Sequence, residues 1–106
     1  MPQQPLINSK AALLDVLQQH RTQIRSFGVQ KMGLFGSFLR QETIKPGSDI
    51  DLLIDFVPAQ KTFDNLSDLY FFLEELTGRK IELVTRESLS PYMGPHILKE
   101  VQDVGI

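Results

Sequence analysis

The 106-residue chain is 42% hydrophobic and 23% charged with a formal net charge of -2, which excludes a disordered composition and the basic footprint of a protein whose main ligand is nucleic acid. Its length sets the expectation of a single domain over residues 1–106. Cysteine is absent, which excludes disulfides, thiolate zinc sites and cysteine nucleophiles; no apolar run approaches the roughly 20 residues of a bilayer span and MPQQPLINSK lacks a signal-peptide pattern, so a cytoplasmic protein with no membrane partner is expected.

From the amino terminus, Leu13, Val16, Leu17, Ile24 and Phe27 recur at helical spacing and predict one helix over residues 9–27, capped by Asn8 or Ser9 and ended by Gly28. His20 falls near this stripe and is read as a packed, hydrogen-bonded core or boundary histidine with no function. The apolar run Val29 to Phe35 predicts a strand, Gly36-Ser37 a turn or helix entrance, and residues 37 to 41 one helical turn. Lys45-Pro46-Gly47-Ser48 is loop chemistry, because proline disfavours helix before it and glycine supplies freedom after it.

A second strand is expected from Asp49. Alternation puts Asp49, Asp51, Leu53 and Asp55 on one face and Ile50, Leu52, Ile54 and Phe56 on the other, which must be buried. Asp55 is read as solvated. After Pro58, the stripe Phe63, Leu66, Leu69, Tyr70, Leu73 and Leu76 predicts a helix ending at Gly78, with Phe71 pointing away from it. Lys80 to Thr85 reads as a third strand with Glu82 opposite in face to Ile81 and Leu83, and a last helix follows Pro95, carrying Ile97, Leu98 and Val101. The order of elements predicts a two-layer α/β domain with helices covering one face of a small sheet. If the strands lie side by side, Asp49, Asp51 and Glu82 share its open face.

Carboxylates at i and i+2 on a strand stand about 7 Å apart along the backbone and can reach one cation; the same spacing also suits a solvated polar face. Magnesium favours one or two carboxylates completed by water and substrate phosphates. Upstream, Gly36 lets backbone approach a phosphate closely and the Ser37 hydroxyl can bond one. A strand ending in Gly-Ser, a helical turn, a loop and a strand beginning Asp-Ile-Asp together form a coupled arrangement for a nucleoside triphosphate and its metal.

Gly36, Ser37, Asp49 and Asp51, with Arg40 three residues after the serine and the later segment "GRKIELVT", resemble the signature of the DNA polymerase β-like nucleotidyltransferase superfamily, in its minimal nucleotidyltransferase branch. The chain departs from that pattern at Glu82, where the third acidic residue is usually an aspartate. The resemblance implies a nucleotidyltransferase fold with a small mixed sheet. It implies metal and catalytic roles for Asp49, Asp51 and Glu82, and nucleotide binding by Gly36, Ser37, Arg40 and Ser48. It further implies Mg2+ as cofactor, ATP as substrate and transfer of AMP to a hydroxyl.

Members of that branch resemble the antitoxin half of a pair whose toxin is a HEPN-domain ribonuclease, modified on a tyrosine. Phe71 is the candidate docking residue, while Tyr92 and His96 are left open between docking and packing. The alternative is a weak or silent member of the fold that neutralises its toxin by forming a complex, a reading to which Glu82 lends support. Transfer to a small molecule such as an aminoglycoside is disfavoured, because 106 residues leave no room for an acceptor-binding domain.

Overall fold

The computed structural model describes residues 7–40, 44–45 and 47–106. The amino-terminal hexapeptide, Gln41 of the predicted helical turn and Pro46 of the predicted loop lie outside the described residues. Helices α1 (Lys10–Gln19) and α2 (Arg21–Ser26) precede strand β1 (Val29–Phe35) and the one-turn helix α3 (Ser37–Arg40). Strand β2 (Ile50–Phe56), helix α4 (Phe63–Thr77), strand β3 (Ile81–Thr85), helix α5 (Gly94–Glu100) and the short strand β4 (Gln102–Asp103) follow, with 3-10 turns at Pro58–Gln60 and Arg86–Ser88. No helix among the described residues is long and apolar enough to cross a membrane.

The sheet order is β3-β2-β1-β4, and β2 runs antiparallel to β1 but parallel to β3. α4 is the crossover that a parallel β2–β3 neighbour requires. Its start is capped by Thr62, whose Oγ1 accepts from the Asn65 amide at 3.1 Å, and Gly78 ends it at φ 70°. Ile50, Leu52, Ile54 and Phe56 enter one core with Leu13, Leu17, Ile24, Met32, Leu34, Leu69, Leu73 and Ile81, as strand alternation predicts. Each fully buried aliphatic side chain contributes roughly 1.5–3 kcal/mol.

Four expectations need correction. The helix predicted over 9–27 is broken at His20 (φ -107°, ψ 18°), whose Nδ1 lies 2.9 Å from the Val16 carbonyl; a side chain that engages one carbonyl of the last turn of α1, with its backbone N–H on the others, closes the helix there. Strand β2 begins at Ile50, leaving Asp49 on its threshold. Phe63 is 81% exposed rather than in the core stripe, because it is the first residue of α4 and precedes the turn that meets the sheet. Asp55 is ion-paired: its carboxylate accepts from Arg86 Nη2 at 3.0 Å and Nε at 3.2 Å.

The face opposite the helices is only partly open. Leu53 and Phe35 on that face are buried, and the turn from α5 into the unforeseen β4 crosses it. Val101 seats where a Cβ on Gly33 would stand 2.5 Å from its Cγ2, so glycine at 33 is what lets this segment close on the sheet.

Candidate active site

The antiparallel register sets Phe35 opposite Asp51, so the chain leaves β1 beside the Asp51 carboxylate. Gly36 turns there at φ 76°, and a methyl group on it would stand 2.1 Å from Asp51 Oδ2. Only glycine satisfies both the left-handed backbone and this approach. Ser37 then opens α3, in which the amides of Leu39 and Arg40 both donate to the Gly36 carbonyl at 3.2 Å. On the other flank, the parallel register sets Asp51 opposite Glu82. Residues far apart in sequence, Gly36, Asp51 and Glu82, thus lie side by side across three strands.

Their electrostatics are those of a crowded anionic site. Asp51 is pushed up from the ordinary 3.8 to about 7, first by burial, then by a hydrogen bond with Glu82 and by the negative charges of Glu82 and Asp49; the Arg40 guanidinium pulls the other way. Carboxylates crowded in this way are relieved by a neighbouring positive charge, which a cation can supply. Among the described residues no three acidic, histidine or cysteine side chains are arranged as a ready-made metal cage. Magnesium asks for less: one or two carboxylates, with water and phosphate filling the remaining positions. The donor set therefore fits a hard cation carried in with a triphosphate.

Of the other predicted residues, Asp49 is half-buried just before β2 and acts on Asp51 through its charge. Arg40 lies within electrostatic reach of Asp51 and pairs with Glu100 at 3.3 Å. Ser48 is half-buried in the loop before Asp49, its amide donating to the Lys45 carbonyl at 3.0 Å. Phe71 stands outside this constellation, 61% exposed on α4 and edge-on to Tyr70 at 5.4 Å. Tyr92 is 86% exposed and His96 is exposed.

Three residues at the site escaped the sequence. Glu100, at the end of α5, accepts from the Gly36 amide at 3.4 Å while pairing with Arg40. Tyr70 donates to Glu74 at 2.9 Å; that bond is the main reason its hydroxyl is shifted upward, and Asp49 adds to the shift. Arg79 is buried between α4 and β3. Nothing in local composition distinguishes Glu100 and Arg79 from solvated surface residues, and the place of Tyr70 in the helical stripe speaks only for packing.

Comparison with known proteins identifies the family. The family profile described as the nucleotidyltransferase domain matches residues 17–104. Protein adenylyltransferase MntA of Thermococcus cleftensis is 37% identical over 89 residues, covering 81% of this chain and 86% of that protein. MJ0435 of Methanocaldococcus jannaschii, designated a candidate protein adenylyltransferase, is 34% identical over 90% of this chain and 92% of its own length. A solved structure described as a candidate minimal nucleotidyltransferase superposes with TM-score 0.67 at 29% identity, covering 84% of this chain and 93% of that one. The fold also matches a crystal structure of a mutant MntA–HpeT toxin–antitoxin, with TM-score 0.57 at 18% identity over 91% of this chain and 71% of that one. With the domain matched over most of the chain's length, the chain belongs to the nucleotidyltransferase-domain family, in its minimal branch.

Proposed function

We propose that this chain, as a single domain in the cytoplasm, transfers AMP from ATP to a tyrosine hydroxyl of a HEPN ribonuclease toxin and so acts as its antitoxin. The observation that carries the chemistry is the approach of the Gly36 turn to the Asp51 carboxylate with Glu82 on the next strand. The adenylyltransferase designation of the relatives and the toxin–antitoxin assembly of a fold neighbour support the acceptor class.

In this reading Gly36, Ser37 and Ser48 cradle the triphosphate, Arg40 offsets its charge, and Asp49 and Asp51 hold magnesium. Glu82 supports the acceptor side. The chemistry that two bound magnesium ions supply is acidification of the acceptor hydroxyl and charge neutralisation on the departing pyrophosphate. The tyrosine hydroxyl gives its proton to solvent, its oxygen bonds to the α-phosphorus, the bond from that phosphorus to the oxygen bridging the α- and β-phosphates breaks, and pyrophosphate leaves with the bridging oxygen. The added phosphate would weaken a basic RNA site by charge. Phe71 offers an exposed aromatic anchor for the partner.

The second reading, a silent module that neutralises by occupancy, is favoured by Glu100, which already engages Gly36 and Arg40. One experiment separates the two. Incubation of a HEPN ribonuclease toxin with ATP labelled at the α-phosphate, magnesium and this protein transfers label, and Asp49→Ala and Asp51→Ala abolish it. Unlabelled toxin that is nonetheless neutralised without ATP establishes the second reading, and equal labelling by both variants removes the assigned site.

A further inference from the structure

Arg79 is 4% exposed, a rare condition for an arginine. Its Nε donates to the Ile7 carbonyl, and its Nη1 donates to the carbonyls of Lys45 at 3.0 Å and Ser48 at 3.1 Å. The guanidinium carbon stands 5.1 Å from the Phe38 ring centroid. Its own amide is held by Thr77 Oγ1 at 3.2 Å, at the end of α4. Three of these partners, Lys45, Ser48 and Phe38, belong to separate pieces of the candidate site. Lys45 and Ser48 flank the loop whose next residue is Asp49. Phe38 lies in α3, directly after the Gly36-Ser37 turn.

We propose that Arg79 is a positioning residue: its forked guanidinium fixes the loop that delivers Asp49 at a set distance from the Gly36-Ser37 turn, so that the carboxylates and the phosphate cradle stand assembled before Mg–ATP arrives. The inference rests on the nucleotidyltransferase reading of the site. A planar fork bonds two carbonyls of one loop from one nitrogen and a third carbonyl from another while stacking on a ring, which the compact ammonium of lysine cannot reproduce. A buried cation is also a poor device for stability alone, since apolar residues of similar volume serve as well without its desolvation. Misplacement of reacting groups by about 1 Å costs on the order of 10²-fold in rate, so a loop constraint of this kind has a functional return out of proportion to its size.

The test compares wild type, Arg79→Gln, Arg79→Lys and, in parallel, Asp51→Asn. Calorimetry measures affinity for the magnesium complex of α,β-methylene ATP, and amide hydrogen exchange follows residues 47–51 at a temperature where each variant is folded. Arg79→Gln should bind the analogue roughly 10- to 100-fold more weakly, with faster exchange at residues 47–51, and Arg79→Lys should recover only part of both. If wild type binds the analogue and both Arg79 variants match it, the positioning role is overturned even if their melting temperatures fall. Should Arg79→Gln not fold, Arg79→Lys decides by the same two readouts. Loss of binding in Asp51→Asn alone leaves the site assignment intact and rejects this inference, whereas no binding by wild type removes both.

Discussion

Replacing Asp51 by asparagine removes a charge that the fold tolerates poorly while keeping the side chain's shape. Moving the carboxyl from 3.8 to about 7 corresponds to ~4 kcal/mol of penalty on its ionised form; its partial solvent access reduces the expected effect to ~1 kcal/mol. The sign follows from linkage. The folded protein binds this proton more tightly than the unfolded chain, so the stability it contributes is fully present below 3.8 and is lost as pH rises through about 7. Asparagine cannot ionise, and its advantage over wild type should be near zero at pH 4 and reach ~1 kcal/mol at pH 8, or ~4–8 °C in Tm for a domain of this size. Thermal melts of both proteins across pH 4–8 without magnesium measure it. Adding magnesium at pH 8 should raise the wild-type Tm and leave the variant unmoved. A Tm difference constant across this range, or a less stable variant at pH 8, would refute the crowded-carboxylate account.

Gly36→Ala forces alanine into a left-handed turn and drives its methyl to 2.1 Å from Asp51 Oδ2; AMP transfer should fall at least ~10²-fold, and retention of half the wild-type rate would show that the approach is not needed. Glu100→Gln frees the Gly36 amide and Arg40 from a competing carboxylate; because the Arg40 side chain is exposed and the Glu100 side chain partly so, the pair is worth under ~1 kcal/mol, KM for ATP should drop by roughly two- to fivefold, and an unchanged or higher KM argues that Glu100 does not compete with phosphate. Phe71→Glu removes an apolar anchor from a site that is 61% exposed; affinity for the toxin should weaken by at least ~10-fold with Tm within ~2 °C of wild type, and undiminished affinity in a pull-down titration would place the interface elsewhere.

The strands and the Gly36, Asp51 and Glu82 group were legible because alternation fixes which side chains share a face, and a Gly-Ser turn followed by Asp-Ile-Asp constrains where those faces meet. Asp51 opposite Glu82 could be stated only conditionally, since strand order depends on the path of α4 rather than on any local pattern. The break at His20 was hidden because the apolar residues of α1 and α2 stay in phase across it. Phe63 misled for a related reason: its spacing matches the stripe, but a first-turn residue projects beyond the sheet it would have to touch. Strand β4, with two residues, carries no periodicity to read. Arg79 and Glu100 act across 31 and 64 residues of sequence separation, a range at which no spacing rule operates.

Because β2 pairs with β3 only across the intervening α4, the acidic pair is created by a long-range closure of the sheet, one that precedes in chain order the pairing of β4 with β1. A nascent chain still short of residue 82 holds the Gly36 turn and both aspartates yet lacks their neighbour. In the proposed reading, catalytic competence therefore waits on the emergence of β3, and a polypeptide that stops within α4 carries the turn and the aspartates in an unfinished constellation.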